Sequence, residues 1–256
     1  MKATIIVPIH GPPDLLDIAI RSVLAQTHSD WELFLICDGA HPSAVEMARA
    51  FEQSDARIKA FVFPKGERHG EAYRHQVLQQ ASGHGVFYLC EDDFWLPEHL
   101  SEMSRLLESH DYVHSRPMVW IGETTLAIAN RHLGMEGGRD HLMHNHTNVW
   151  GLSSGAHTLA LYRRLPEGWS PAPKGIATDI FMWRKLLADP GVRFTCSPLL
   201  TVLQMPAENR RALPAPQMRA LAENWYELIS STKARDSVRR HFETHRRVSF
   251  KSRPRD

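Results

Sequence analysis

Ala3-Thr4-Ile5-Ile6-Val7-Pro8-Ile9-His10 and Leu33-Phe34-Leu35-Ile36-Cys37-Asp38-Gly39 are short strand-like runs that each stop abruptly at turn-forming or polar residues. Between them Leu16, Ala19, Ile20, Val23 and Leu24 recur on one helical face, and Asp14 is placed to cap that helix. The alternation continues outward. Residues 44–51 read as helix, 58–63 as a third strand, 71–81 as helix, and 86–90 as a fourth strand after Gly83 and Gly85. Strands alternating with helices at this spacing predict parallel pairing and a sheet covered on both faces. Ligands bind such sheets beyond the carboxyl ends of the strands. That singles out Pro8-Ile9-His10, Asp38-Gly39 and Glu91-Asp92-Asp93.

The second half is less regular. Residues 111–150 are rich in His, Gly and Asn, with strands expected near 113–121 and 125–129. A helix over 178–187 precedes strand-like pieces at 192–195 and 199–203, and helices near 217–230 and 237–245 close the sequence. There is no internal repeat and no low-complexity linker, so one compact unit is expected.

With 43% hydrophobic and 23% charged residues over 256 positions, the composition is that of a globular protein with a sizeable core. A net charge of +1 argues against binding polyanions through the whole surface. The charge is uneven: Arg235, Arg239, Arg240, Arg246, Arg247, Lys251, Arg253 and Arg255 face only Asp236 and Glu243. Such a tail is a solvated helix with a frayed end or a contact for an anionic surface, either lipid or nucleic acid. Cys37, Cys90 and Cys196 lie far apart beside apolar runs, which is neither a disulfide framework nor metal-ligand spacing. The amino-terminal apolar stretch is too short for a signal peptide and is broken by Pro8. No segment reaches the roughly 18 apolar residues of a membrane helix. A cytoplasmic location, with any membrane contact peripheral at the inner face, is the expectation.

Glu91-Asp92-Asp93 follows a buried strand directly. Adjacent carboxylates there repel by on the order of 1 kcal/mol or more per close pair. A hard divalent cation, Mg²⁺ or Mn²⁺, relieves that repulsion. The competing reading is that Asp92 or Asp93 caps a helix opening at Pro97.

The ordered set Thr4-Ile-Ile-Val-Pro-Ile-His10, Leu15-Leu16, Ser22-Val-Leu-Ala-Gln-Thr27, Trp31-Glu-Leu-Phe-Leu-Ile-Cys-Asp38-Gly39, Gly70-Glu-Ala-Tyr-Arg74, Ala81-Ser-Gly83 and Glu91-Asp-Asp93-Phe-Trp95-Leu-Pro97 resembles the opening of family 2 glycosyltransferases. The match is dense over roughly the first 100 residues and thins to Tyr162-Arg163-Arg164 and Thr178-Asp179. The resemblance implies the α/β GT-A fold: a Rossmann-like, mostly parallel sheet flanked by helices, with an irregular acceptor-binding half. It implies a nucleotide-sugar-binding half over residues 1–110, an acceptor-binding and catalytic half over 111–215, and carboxy-terminal helices with a basic tail over 216–256. By the same resemblance Pro8, Ile9 and His10 line the base pocket and Asp38 accepts a hydrogen bond from the base. Arg74 lies near the base or diphosphate, Glu91 sits with the nucleotide sugar, Asp92 holds the ribose, and Asp93 holds the metal bridging the two phosphates. Asp179 matches the general base, which a sugar hydroxyl needs because it is a poor nucleophile until its proton is taken. A base opposite the leaving group implies inversion, by analogy with hydrolases. Four departures stand out: Cys37 replaces the first Asp of the turn, His75 the Asn after the Arg, Glu91 the residue before the acidic pair, and Thr178 the acid before the base. For Thr178-Asp179 the competing reading is a helix N-cap and an acid suited to the helix dipole.

Other motifs are less specific. His141, His144 and His146 are read as a loop facing the acceptor, with a zinc site as the alternative. Trp95 and Trp150 are candidates to stack on sugars, and core packing is the alternative. Residues 151–155, GLSSG, are expected to form a flexible turn beside the acceptor. The expected activity is transfer of a sugar from a nucleotide diphosphate, UDP-linked, to a hydroxyl on a glycan, lipid-linked sugar, metabolite or modified nucleobase. The alternatives are a nucleotidyltransferase, which would want a charged Gly-rich loop where His10-Gly11-Pro12-Pro13 stands, and a non-catalytic sugar-nucleotide-binding protein.

Overall fold

The computed structural model describes residues 1–121, 125–128, 132–145, 150–205, 213–245 and, as backbone only, 247–249. Its centre is a seven-stranded sheet built on β1 (Ala3–Ile9), β2 (Trp31–Asp38), β3 (Ile58–Phe63) and β4 (Gly85–Tyr88), with β1 in the middle of these. All four run parallel: Ala3 lies opposite both Trp31 and Gly85, and Ile9 opposite Cys37. β1 is buried at every position, which is why it reads as one continuous apolar run. Alternate residues feed opposite faces. Ile5, Val7, Ile9, Leu33 and Leu35 pack below, and Ile6, Phe34 and Ile36 above.

Helices cover both faces, as alternation predicts. α1 (Leu16–Leu24), α2 (Pro42–Ser54) and α4 (His99–Leu107) supply Ala19, Val23, Ala44 and Met103 to the lower core. α3 (Glu71–Leu78), α5 (Gly138–His144), α6 (Leu159–Arg163) and α7 (Thr178–Leu186) supply Val77, Leu142, Leu161 and Ile180 to the upper one. Asp14 is not the cap of α1. Leu15 takes that position without a side-chain bond, and the first-turn Asp17 instead pairs with Arg219 at 2.7 Å.

The sheet does not stop at residue 110. β9 (Gly155–Thr158) pairs antiparallel with β4 and with β6 (Tyr112–His114), and β10 (Phe194–Cys196) closes the edge parallel to β6. One antiparallel strand is thus set inside an otherwise parallel sheet. The GLSSG segment is therefore no flexible turn. Leu152–Ser154 is a buried 3₁₀ turn leading straight into β9, whose four residues are all buried.

A second sheet of five strands has the order β12-β8-β7-β11-β5: Arg247–Ser249, Thr125–Ile128, Pro117–Ile121, Val202–Gln204 and Phe94–Trp95. It packs under α8 (Ala215–Ser230) and α9 (Thr232–Thr244) around Phe94, Met118, Trp120, Leu203, Trp225 and Phe242. α9 begins the basic tail, yet part of that charge belongs to the fold. Arg235 and Arg239 both pair with Glu98, the N-cap of α4, at 2.8 and 3.3 Å. Arg246, Lys251, Arg253 and Arg255 lie outside the described residues, as does the end of the strand expected to reach Ala129. Among the described residues no helix is long and apolar enough to cross a membrane.

Candidate active site

Because β1 sits between β2 and β4 in register, the carboxyl ends of all three open on one edge. His10, Asp38 and the turn Cys90–Asp93 emerge there. Pro8 and Ile9 are both buried within β1, and Ile9 packs into the lower core. Of that trio, His10 is the one that is partly exposed.

Asp38 ends β2 with its carboxylate 1% exposed. Its Oδ1 accepts from the Gly66 backbone N–H at 2.6 Å, and its Oδ2 accepts from Lys65 Nζ at 2.6 Å. Burial alone would raise its pKa, but the Gly66 N–H and the Lys65 ammonium outweigh that and hold it below the usual carboxylate range. His10 Nδ1 lies 3.1 Å from the same Oδ2. Burial, and then the Arg74 charge, push the His10 imidazole down to about 4, so the ring is neutral at pH 7. Gly70 makes this close approach possible. It caps α3 at φ +68, and a Cβ there would sit 2.6 Å from Asp38 Oδ2.

The acidic stretch forms a tight turn in which the Asp93 N–H donates to the Cys90 carbonyl at 3.2 Å. Glu91 accepts from the His10 and Gly11 backbone N–H groups at 3.3 Å, so it ties this turn to the end of β1. Asp93 is 2% exposed and gripped on both oxygens. Ser153 Oγ donates to Oδ2, and the Met205 N–H donates to Oδ1 at 2.8 Å. Ser153 is itself fixed, because its Oγ accepts from the Cys90 N–H at 2.9 Å and its carbonyl accepts from Trp95 Nε1 at 2.8 Å. Hydrogen bonds to a charged group are worth about 1.5–3 kcal/mol each, so this carboxylate is held in one orientation. One ligand atom each from Cys90, Asp92 and Asp93 lies within 4.8 Å of the others, and this is the one such group among the described residues. Two carboxylates and a thiol fit a divalent cation.

The second half of the site comes from α3 and α7. Arg74 is 2% exposed; its Nη2 donates to the His69 carbonyl at 2.9 Å and its guanidinium lies 4.8 Å over the Trp169 ring. Its Nε and Nη1 have no hydrogen-bond partner within the protein. Buried polar groups left this way are uncommon and point to a ligand that completes them. Glu71, fully buried one turn earlier, accepts from the Thr178 hydroxyl and from the His69 N–H at 3.0 Å. Burial would raise the Glu71 pKa; the Thr178 hydroxyl, the backbone N–H groups of Glu71 and His69, and Arg74 together lower it. The Glu71–Thr178 bond thereby joins the starts of α3 and α7. Asp179 follows, with its Oδ1 accepting from the Ile180 N–H at 2.9 Å, and it lies close enough to influence the ionisation of Arg74, Cys90 and Tyr112. Thr178 is not an N-cap; Ala177 holds that place.

The structure thus gathers His10, Asp38, Arg74, Glu91, Asp92, Asp93 and Asp179 at one edge of the sheet. Trp95 is not among the exposed groups there. It is 1% exposed and stacked on His99 at 4.3 Å, so its faces are taken by the core. Trp150 is stacked on His114 at 4.2 Å in the same manner. His141 and His144 are in helix α5 rather than a loop, and His146 lies outside the described residues. Sequence reasoning missed Lys65, Glu71, Ser153, Trp169 and Met205. Of these only Lys65 carried a signal, a basic residue just past a strand end.

The glycosyl transferase family 2 profile matches residues 4–167. Among curated sequences, an uncharacterized glycosyltransferase of Nostoc sp. is 32% identical over 114 residues, 44% of this chain and 35% of that protein. The UDP-Glc:alpha-D-GlcNAc-diphosphoundecaprenol beta-1,3-glucosyltransferase WfgD of Escherichia coli is 32% identical over 110 residues, 42% of each chain. The chain therefore aligns with less than half the length of these relatives. Among solved structures, S. aureus TarS 1-349 in complex with UDP-GlcNAc superposes with a TM-score of 0.58 at 15% identity, over 96% of this chain and 74% of that one. The mannosyltransferase PcManGT of Pyrobaculum calidifontis, in complex with GDP-Man and Mn²⁺, gives 0.57 at 17% identity, over 95% and 75%. These similarities show a GT-A type fold. With its sheet order, its strand-end carboxylates and a profile match over more than half its length, the chain belongs to glycosyl transferase family 2.

Proposed function

We propose that this protein transfers a sugar from a UDP-linked donor to a hydroxyl acceptor with inversion at the anomeric carbon. The observation that carries the proposal is the convergence of three kinds of group at one sheet edge: an anchored acceptor carboxylate (Asp38), an incompletely bonded buried cation (Arg74) and a carboxylate on the facing helix (Asp179). Asp38 offers acceptor oxygens only, which suits a base presenting N–H, such as uracil at N3 or guanine, and repels one presenting a ring acceptor. The UDP-Glc in the name of WfgD and the UDP-GlcNAc bound to TarS favour the uracil reading. Arg74 has two nitrogens, Nε and Nη1, whose N–H groups can be given to diphosphate oxygens. Asp92 and Asp93 would hold Mn²⁺ or Mg²⁺, with Cys90 beside them, and a cation there adds positive charge against the departing diphosphate. Asp179 removes the acceptor proton as the acceptor oxygen bonds to the anomeric carbon, while the bond from that carbon to the diphosphate oxygen breaks on the opposite side. The diphosphate leaves with the electron pair.

A thermal-denaturation panel of nucleotide sugars, with and without Mn²⁺ or Mg²⁺, tests the reading. A true donor at a hundredfold excess over its Kd adds about 2.7 kcal/mol. For a chain of this size that corresponds to a rise of roughly 5–10 °C. Stabilisation by UDP-sugars above all others is expected. A panel in which no nucleotide raises the Tm under any metal condition overturns the proposal.

A further inference from the structure

We infer that Cys90 is a direct ligand of the cation at the acidic turn, and that the site therefore favours thiophilic dications such as Zn²⁺, Co²⁺ and Cd²⁺ over Mg²⁺. This deepens the reading above and rests on its metal component. The geometry is that of a chelate held together by its own backbone. Cys90 and Asp93 are the first and last residues of one hydrogen-bonded turn, closed by the Asp93 N–H on the Cys90 carbonyl. A single hydroxyl, that of Ser153, accepts from the Cys90 N–H and donates to the Asp93 carboxylate. The two ends of the turn are thus fixed relative to each other from outside as well as within. The result is a sulfur and two carboxylate groups whose ligand atoms all lie within 4.8 Å. A cation placed among them meets one soft and two hard donors.

That donor set has a definite preference. Mg²⁺ demands oxygen ligands in near-octahedral order and gains little from sulfur. Zn²⁺ and its spectroscopic substitute Co²⁺ bind thiolate and carboxylate together. On ligation the Cys90 proton passes to solvent and the sulfur donates an electron pair to the cation, with no change in oxidation state. The other two thiols are elsewhere: Cys37 is enclosed within β2, and Cys196 on β10 turns its Sγ to the Ser197 carbonyl at 3.4 Å.

The test is a Co²⁺ titration of the whole chain, followed by near-ultraviolet absorption and by calorimetry, repeated with Cd²⁺ and Mg²⁺. The wild type is expected to show a sulfur-to-cobalt charge-transfer band. Cys90→Ser should lose the band and lose roughly tenfold or more in Cd²⁺ affinity, while Mg²⁺ affinity changes by less than about threefold. Cys196→Ser should keep the band. A cadmium-113 resonance in the sulfur-ligated range for wild type, absent in Cys90→Ala, supplies a second reading should the serine variant fold poorly. Co²⁺ binding to the wild type without the band, or an undiminished band in Cys90→Ser, overturns sulfur ligation and leaves the transferase reading standing. If no cation binds the wild type, with or without UDP, the metal component and this inference fail together, while nucleotide stabilisation without metal would still support sugar transfer.

Discussion

The strand-end edge built by residues 3–93 and the layers built by residues 112–205 do different work. The first carries most of the groups proposed to meet a ligand: His10, Asp38, Arg74, Asp92 and Asp93. The second mostly supplies the groups that hold them: Ser153 and the Met205 N–H on Asp93, Thr178 on Glu71, and Trp169 under Arg74. Asp179 is the exception, the proposed base in the holding half. A charged group in a buried site is only useful in one orientation, and most of its restraint must come from somewhere it is not covalently near. That division predicts how the two regions should fail: change in a carrier abolishes chemistry and spares the fold, whereas change in a holder loosens affinity.

The largest effect is expected at the exception. Asp179→Asn keeps the shape and the bond to the Ile180 N–H but removes the proposed base, so kcat should fall by about 10²–10⁴-fold. Donor Kd, read by calorimetry, should stay within about twofold. Equal losses in donor affinity and kcat would place Asp179 among the holders and erase the distinction.

Acid should then act on the holding half and on His99, which lies between the two regions. Burial pushes His99 and His114 down to about 3 and His157 down to about 4. His114 is on β6 and His157 on β9, the two strands that extend the sheet past residue 110, and His99 starts α4. The unfolded values lie near 6.5. Since the folded pKa values are depressed, these residues contribute stability that is complete above pH 6.5 and is lost as pH falls toward 4 and 3, because only the unfolded chain takes up the protons. At pH 5.5 each should cost roughly 1 kcal/mol. Tm measured from pH 7.5 to 5 should therefore drop steeply, and His157→Gln should flatten the curve. A Tm constant over that range would show that the three rings are not buried as neutral groups.

Ser153→Ala removes a hydroxyl that bonds both ends of the acidic turn. The expected outcome is a 10–100-fold weaker cation by calorimetry, as for other residues that orient a metal ligand. Metal-free nucleotide binding should be unchanged. Loss of both together would mean that Ser153 acts on the fold and not on Asp93.

The candidate carriers could be proposed from the sequence and the holders could not, for a physical reason. β1, β2 and β3 are buried on one or both faces over 6–8 residues, so their apolar runs are long enough to register, and the polar residues at their ends are conspicuous by contrast. β6, β9 and β10 have 3, 4 and 3 residues. β9 reads Gly155-Ala156-His157-Thr158, with Gly and His in place of β-branched apolar residues, and it is strand only because β4 and β6 flank it. Ser153 lies 60 positions from Asp93, and Thr178 lies 107 from Glu71. Nothing local marks a serine or threonine as the partner of a carboxylate that far away. Trp95 misled for the opposite reason: it follows the acidic turn by two residues, but its side chain turns inward to His99 and the Ser153 carbonyl.

The smallest effect sharpens the same distinction on the basic helix α9. Arg239 is 19% exposed and shares Glu98 with Arg235, at 3.3 Å from Oε2. It also reaches the Leu200 carbonyl, at 3.3 Å from its Nη2. Arg240, the next residue, is exposed. Both contribute one positive charge to the same tail, so any effect of net charge must be equal for the two. Arg239→Ala gives up an ion pair worth about 0.2–1 kcal/mol at a partly exposed site, together with the packing of its stem across the start of α4. Arg240→Ala should stay within about 0.5 kcal/mol of wild type. Chemical denaturation resolves such a difference when both variants keep the wild-type m-value. If instead the two substitutions weaken the protein equally, the Glu98 contact is worth nothing, and the tail acts through its charge alone.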